Sequence, residues 1–227
     1  MAHMKKWLPL LLIMLIFMSC SPALAVVTVY HRGDTEKNQI AITVDDCYNI
    51  ERMRLFLDLF AKEEIHVTFY PVGAAIKEEN ADLWQRILDE GHEIGNHTND
   101  HSNLTKCDGK TIIFQLQHME KKLNKALGYE YTIRTMRPPY GSFSNAKTRN
   151  YISAAGYKHL VMWSVNQQDP KKALKSIKNG SICLFHANRL DLECLTELIP
   201  MLKEKGFEMV TISDLLGIAQ EEEGEEI

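Results

Sequence analysis

The chain has 227 residues, of which 45% are hydrophobic and 25% charged, and its formal net charge is −4. This composition indicates a folded globular protein with a proper core, and the length suits one domain. A negative net charge without a long basic run argues against nucleic acid as a partner, because phosphate binding requires clustered Lys and Arg.

The N-terminal segment 1–25 is interpreted as a signal peptide. Two lysines precede an apolar run at residues 7–18, which is too short to span a bilayer comfortably. Residues 23–25 read small-x-small and suit a cleavage site, so the mature domain would cover residues 26–227. Lipid attachment at Cys20 is the alternative, and it is the only case in which we expect a membrane as partner. The prediction is a secreted or cell-envelope protein.

Four cysteines follow the expected cleavage site. Their spacings form neither a CxxC metal pair nor the dense framework of a disulfide-rich fold. An exported location permits disulfides, but no essential one is predicted among Cys47, Cys107, Cys183 and Cys194.

The mature sequence alternates short β-branched runs with longer amphipathic segments. This alternation predicts an α/β fold with about seven parallel strands connected by helices, either as a barrel or as an open sheet. No repeat or linker divides the chain, and the acidic tail 219–227 is predicted to be disordered. In chain order, strands are predicted at 39–44, 67–72, 93–97, 135–136, 159–163, 181–185 and 208–211, and helices at 51–63, 82–89, 110–127, 144–155 and 192–205.

Polar side chains follow several predicted strands, at the ends where βα folds build their active face. Asp45 and Asp46 follow the first of these strands, and Arg137 and His186 follow later ones. Adjacent carboxylates repel each other, so the pair predicts a nearby cation or arginine. For an isolated pair, a helix N-cap with a solvated neighbour explains the sequence equally well.

His97 and His101 are four residues apart. On one helical turn both imidazoles would point the same way and could share a metal ion. Two surface histidines are the alternative for such a pair alone. With one carboxylate, the histidines would form a three-ligand site with positions open for water, and the other carboxylate could act as a base. Zn is expected first, although Co, Ni and Fe tolerate the same ligands.

Five short motifs in chain order resemble the polysaccharide deacetylases that share the NodB homology domain, known as carbohydrate esterase family 4. Each motif is short, but together they span about residues 39–215, and their order is specific. The resemblance implies a distorted, incomplete (β/α) barrel. The motifs are TVDDC at 43–47, GHEIGNH at 91–97, HTNDH at 97–101, RPPYG at 137–141 and LFH at 184–186.

The resemblance also implies a role for each matching residue. Asp45 would be the base that activates the attacking water. Asp46, His97 and His101 would hold one divalent metal ion. Arg137 would orient Asp45 by pairing with it.

The remaining roles concern the acetyl group and its leaving group. His186 would be the acid that protonates the leaving amine or alcohol, and the backbone N–H of Tyr140 would stabilise the oxyanion. Asp169, in the fourth motif of the family, is a further catalytic candidate. The residues expected to contact substrate are Pro138, Pro139, Tyr140, Trp163 and Leu184.

Three positions depart from the family pattern. Cys47 stands where the first motif has Gly, and it is expected to form a bulky wall of the site; an adventitious metal contact and an oxidisable thiol are the alternatives. Asn166 stands at the first Asp of the fourth motif and Pro170 at its Trp. Because Asn166 carries no charge, it could still form a hydrogen bond but cannot raise the pKa of His186 electrostatically, and a weakened or differently tuned acid is expected.

The function predicted from these residues is metal-dependent removal of acetyl groups from an acetylated polysaccharide, by a monomer. Peptidoglycan N-acetyl sugars are the first expectation, and chitin oligomers or acetylated xylan are the other candidates. One alternative is a related hydrolase of small amides or other C–N bonds. Another is a catalytically weak relative that only binds glycans.

Overall fold

The structure is built on a ring of short parallel strands. The computed structural model describes residues 26–218. Every pairing between its named strands is parallel, which confirms the predicted α/β class. The strands in this range are β1 (Thr28–Tyr30), β2 (Gln39–Asp46), β3 (Thr68–Pro71), β4 (Glu93–Ile94), β5 (Thr135–Met136), β6 (His159–Val161), β7 (Ile182–His186) and β8 (Glu208–Met209).

Two isolated bridges join the paired strands into a distorted barrel. β4, β3, β2 and β7 pair in that order, and β6 lies between β5 and β1. Asn96, just after β4, bridges Met136 of β5, and Val165, after β6, bridges Cys183 of β7. β8 pairs with the first residues of β2. The described chain therefore has eight strands where about seven were predicted.

Seven α-helices within residues 26–218 connect and cover these strands. In six of them the N-cap side chain accepts a hydrogen bond from a first-turn backbone N–H, which satisfies a donor that the helix itself leaves free. The helices are α1 (Ile50–Lys62), α2 (Ala81–Asp89), α3 (Gly109–Leu127), α4 (Ala146–Ala154), α5 (Pro170–Ser176), α6 (Arg189–Glu204) and α7 (Ile212–Leu216).

The main core lies between the strands and the inner faces of the helices. α1 and α6 show the pattern clearly, since their buried apolar residues recur every three or four positions. In α1 these include Met53, Phe56, Leu57 and Phe60, which pack in one cluster with Phe69 of β3. The strands that this core supports then carry polar residues at their carboxyl ends.

Three short elements were not predicted. β1 has three residues, α5 has seven and α7 has five, and such lengths give too few periods for a hydrophobic pattern. α5 begins at Pro170, which suits the first position of a helix because proline has no N–H to leave unpaired there. The proline at this position therefore suits the start of α5.

The expected signal peptide, Cys20 and the acidic tail lie outside the described residues, so those interpretations stay predictions. Within residues 26–218, no helix is both long and apolar enough to cross a membrane.

Candidate active site

The carboxyl ends of β2 and β7 bring the first acid residues and His186 together. Asp45 of β2 is in register with His186 of β7, and the backbone N–H of Ala187 donates to the Asp45 carbonyl at 3.4 Å. Asp45 is buried, whereas 40% of the His186 side-chain surface is exposed. The predicted base and acid thus lie side by side at one end of the barrel.

Asp45 and Asp46 face the same point, although successive strand residues normally alternate between faces. Asp45 Oδ2 lies 3.8 Å and Asp46 Oδ1 3.5 Å from Nε2 of His97. Asp46 has a left-handed φ of 69°, so the chain leaves the extended conformation there. This turn at the strand end explains how both carboxylates reach the open end of the barrel.

The two histidines do not share a helical turn, so the prediction that one turn of helix brings them together is wrong. Residues 97–101 form an irregular loop in which Thr98 and His101 have φ values of 68° and 64°. The rings nevertheless meet, with centroids 5.1 Å apart. A loop achieves this because its left-handed residues turn the chain back toward Asp46.

Two buried polar side chains hold this loop in shape. Asn96 accepts a hydrogen bond from Thr98 N–H at 2.8 Å and donates to the Leu116 carbonyl at 3.0 Å. Gln115 of α3 accepts from the backbone N–H groups of residues 99 and 100. Sequence reasoning missed both supports. The signal for Gln115 is a polar residue on the apolar face of α3, next to Leu116.

Three side-chain atoms converge as a candidate metal site. Suitable atoms of Asp46, His97 and His101 lie within 4.8 Å of one another. His101 Nε2 is 3.3 Å from Asp46 Oδ1, a buried oxygen with no hydrogen-bond donor among the described residues. The three predicted ligands are therefore brought together.

In both imidazoles Nδ1 makes the hydrogen bond to the surrounding protein. This leaves Nε2 of each ring facing the place where the three ligand atoms converge. His97 Nδ1 lies 2.8 Å from the carbonyl of Arg137. A carbonyl only accepts, so Nδ1 carries a proton, and Nε2 is the ring nitrogen left to face the Asp46 carboxylate. His101 Nδ1 contacts the Tyr140 hydroxyl at 3.0 Å. Such outer hydrogen bonds orient metal-binding histidines in proteins.

The charge states in this cluster suit a cation. Burial opposes ionisation of Asp46, but contacts with His97 and His101 outweigh it and hold the pKa of Asp46 below its ordinary value. Burial, followed by the neighbouring His97, lowers the pKa of His101. An ionised carboxylate with a neutral imidazole is the state that metal binding requires.

Arg137 lies inside the barrel and is fully buried. Its Nη1 donates to Asp45 Oδ1 and to Thr43 Oγ1, both at 2.7 Å. Nε and Nη2 donate to the carbonyls of Val161 and Met162. The predicted pairing of Arg137 with Asp45 is present in the structure, and it leaves Asp45 Oδ2 directed toward His97.

His186 has a neighbour that the sequence analysis did not identify. Asp191, in the first turn of α6, is buried, and its Oδ2 lies 3.7 Å from His186 Nδ1. Contact with Asp191 is the main cause that raises the pKa of His186, against burial. The signal in the sequence is Asn188 three residues before Asp191, a pairing typical of a helix start directly after the strand.

Not every predicted residue lies at the open end of the barrel. Asp169 is exposed and caps α5, where it accepts from Lys172 N–H at 2.8 Å, and Asn166 is exposed as well.

Trp163 lies over the Arg137 guanidinium at 6.0 Å. Pro138, Pro139 and Leu184 are buried and shape the strand ends rather than the open surface.

A cavity of about 730 Å³ extends from the histidine side of the site. Tyr140 stands at its edge with 69% of its surface exposed. Its backbone is left-handed at φ 58°. An open groove of this kind suits a polymer better than a small enclosed ligand. Its lining residues are Asp100, His101, Ser102, Asn103, Lys106 and Tyr140.

Cys47 is not the wall of the site that was expected. It is fully buried in the main core, and burial followed by Asp45 and Asp46 raises the pKa of its thiol well above the ordinary range. Its φ is 60°, a conformation that suits the glycine found there in the family pattern.

We expect Cys47→Gly to change the free energy of unfolding by less than about 1 kcal/mol, because relief of the left-handed backbone offsets the lost burial. Cys47→Val, which is β-branched, should instead lose about 2 kcal/mol or more. Urea unfolding of both variants measures the difference. Equal losses would show that backbone strain is not what distinguishes this position.

Comparison with known proteins gives one family. Residues 32–160 match the sequence profile of the family described as polysaccharide deacetylase. The chain is 30% identical over 198 residues to the peptidoglycan-N-acetylmuramic acid deacetylase PdaA of Bacillus subtilis, covering 82% of this chain and 74% of PdaA. It is 31% identical over 189 residues to the peptidoglycan-N-acetylglucosamine deacetylase PgdA of Listeria monocytogenes, covering 79% of this chain but only 39% of PgdA.

Solved structures of the same family have a similar fold. The Bc1960 peptidoglycan N-acetylglucosamine deacetylase superposes with a TM-score of 0.75 at 27% identity, covering 83% of this chain and 92% of that one. A CE4 family pseudoenzyme from Bacillus anthracis, BA3943, superposes with a TM-score of 0.74 at 25% identity, covering 83% and 68%. Similar folds therefore include both active and inactive proteins.

Proposed function

Because this chain belongs to the polysaccharide deacetylase family, we propose that it is a metal-dependent hydrolase that removes acetyl groups from an acetylated polysaccharide. The observation that carries the proposal is the convergence of the Asp46, His97 and His101 ligand atoms beside the buried Asp45–Arg137 pair. A simple metal-binding protein would need only the ligands. The extra carboxylate, fixed by an arginine, is a feature of catalysis.

The donor set fits a divalent ion. Two imidazole nitrogens and one carboxylate leave coordination positions open, as in catalytic zinc sites. Asp46 Oδ1 is a buried acceptor that has no donor within residues 26–218, and both imidazoles are oriented by hydrogen bonds at Nδ1. When bound, such an ion polarises the acetyl carbonyl and lowers the pKa of water. Zn is the ion we propose, and Co, Ni or Fe would suit the same ligands.

The protein's own groups would supply the proton transfers. Asp45 Oδ2 would take the proton of the attacking water, while Arg137 holds Oδ1 and fixes the carboxylate. The backbone N–H of Tyr140 would stabilise the oxyanion. His186, next to Asp45 in the strand register, would protonate the departing amine. An amine leaves poorly without that proton, and an imidazole can deliver it near neutral pH.

Peptidoglycan is the substrate we propose first. The relatives named above act on N-acetylglucosamine or N-acetylmuramic acid of peptidoglycan, and the groove beside Tyr140 is open. An exported chain, as expected from residues 1–25, would meet this polymer outside the cell. Chitin oligomers and acetylated xylan contain the same acetyl chemistry and belong in the same test.

The test is acetate release from peptidoglycan, chitin oligomers and acetylated xylan by protein purified without chelator. We expect about one divalent ion per chain, acetate from peptidoglycan, and loss of activity on chelation that Zn restores. Release from none of these substrates by metal-loaded protein would contradict the proposal.

A matched pair of histidine variants tests the ligand assignment. His101→Ala should lose nearly all bound metal, because it removes one of three ligands. His118→Ala is the control, since His118 stacks on Phe114 away from the site and should keep the metal. Elemental analysis of both proteins gives the answer. Equal metal contents would refute the assignment of His101.

The inactive relative BA3943 favours one alternative, a glycan-binding protein with little catalysis. This alternative predicts binding of peptidoglycan without acetate release. The acetate assay, paired with a sedimentation assay for binding to insoluble peptidoglycan, separates the two.

A further inference from the structure

A buried carboxylate lies behind the imidazole of His186. Asp191 Oδ2 is 3.7 Å from His186 Nδ1, which is an ion-pair distance slightly beyond a hydrogen bond. The same oxygen accepts the backbone N–H of His186 at 2.7 Å and Asn188 Nδ2 at 2.8 Å. One oxygen therefore contacts both the main chain of His186 and the side of its ring.

The Asp191 side chain has little freedom to leave this position. It is 1% exposed, and its own N–H donates to Asn188 Oδ1 at 2.9 Å, which locks it into the first turn of α6. Its pKa lies below the ordinary value: burial opposes ionisation, but contacts with His186, Gln168 and Asn188 outweigh it. A fixed, ionised acceptor is thus presented to His186 from the protein side.

The loop after β6 offers no equivalent carboxylate. Asn166 is uncharged and exposed, and Asp169 is exposed and caps α5. The carboxylates that face His186 come from two other elements: Asp45 and Asp46 on β2, and Asp191 on α6. The titratable base that acts on it among the described residues is His101 of the ligand set. Asp45 and Asp46 belong to the base and the ligand set, which leaves Asp191 for the ring of His186.

We propose that Asp191 is the positioning residue of His186, accepting the Nδ1 proton so that Nε2 carries the proton destined for the leaving group. A small rotation of the ring would shorten the 3.7 Å contact to a hydrogen bond, and catalytic hydrogen bonds are often long before substrate binds. The expectation that Asn166 weakens the acid is then replaced: the carboxylate comes from α6 instead. This inference rests on the proposed role of His186.

The test compares Asp191→Asn with Asp214→Asn in metal-loaded protein. Asp214 is a matched control, because it occupies the same position in α7 and pairs with its N-cap Thr211, at a helix without a histidine partner. NMR titration of the His186 ring and the pH profile of kcat are the readouts. A general acid works only while protonated, so a lower pKa moves the alkaline limb to lower pH.

For Asp191→Asn we expect the His186 midpoint and the alkaline limb both to move down by about one pH unit or more. Asp214→Asn should leave both unchanged. In Asp191→Glu, the midpoint and the limb should both lie close to their values in the unmodified protein. Unmoved values in folded, metal-loaded Asp191→Asn overturn the inference, as does identical behaviour of the Asn and Glu variants. If Asp191→Asn does not fold, Asp191→Ser removes the same charge and is judged by the same criteria.

His186→Ala separates this inference from the proposed function. Full activity of that variant would overturn the acid role of His186. The NMR titration would still decide whether Asp191 sets the state of the ring, because it does not depend on turnover.

Discussion

Asp45→Asn is expected to lower kcat on the peptidoglycan substrate by on the order of 10²–10⁴, the usual contribution of a positioned general base. The amide keeps the shape of the carboxylate and can still accept a hydrogen bond from Arg137 Nη1, which now lies 2.7 Å from Asp45 Oδ1. It cannot take a proton from water. Acetate release against substrate concentration should therefore show a fall in kcat with a smaller change in KM.

Metal content must be measured in the same preparation. Asp45 is not one of the three converging ligands, so the ion should stay at about one per chain. Asp108→Asn is the matched control, because its carboxylate caps α3 and is exposed; it should retain activity. Activity of Asp45→Asn within threefold of the unmodified protein would refute the mechanism.

Arg137→Met should destabilise the fold by about 3–5 kcal/mol, because it leaves the Asp45 carboxylate buried without its partner. The guanidinium also bonds Thr43 and two carbonyls and lies 4.4 Å from the centre of the Tyr70 ring. Its removal therefore opens the middle of the barrel as well. Urea unfolding with linear extrapolation measures the loss.

The double variant Asp45→Asn/Arg137→Met tests the cause. If the unpaired charge dominates, removing it should recover part of the stability that Arg137→Met loses, while activity remains low. A double variant no more stable than Arg137→Met would assign the loss to packing and to the Thr43 contact instead. The coupling energy of the cycle gives the size of the pairing.

Much of the fold and the site could be predicted from the sequence. The hydrophobic patterns at 39–44 and 110–127 are long enough to distinguish a buried strand from a helix. The structure places these elements at Gln39–Asp46 and Gly109–Leu127. The five motifs fall where strands end, so residues far apart in the chain reach one end of the barrel. Arg137 and Asp45, 92 residues apart, are in contact as expected.

What escaped prediction depends on backbone turns and on contacts between distant elements. The spacing of His97 and His101 fits a helical turn, but the left-handed residues of the loop do not show in an apolar pattern. Cys47 was placed in a wall because the sequence gives no direction for a side chain at a turn. Asp191 was missed because its partner lies in the preceding strand, and only the capping sequence hints at it.

Left-handed backbone is concentrated at the site. Of the six non-glycine residues with positive φ in the described range, five lie there: Asp46, Cys47, Thr98, His101 and Tyr140. Each such residue costs about 1–2 kcal/mol, and the sum is comparable to the net stability of a whole domain. This strain should lower the free energy that local opening of the site requires. A bound ion opposes that opening by mass action. The cation would therefore stabilise the folded site as well as take part in the reaction.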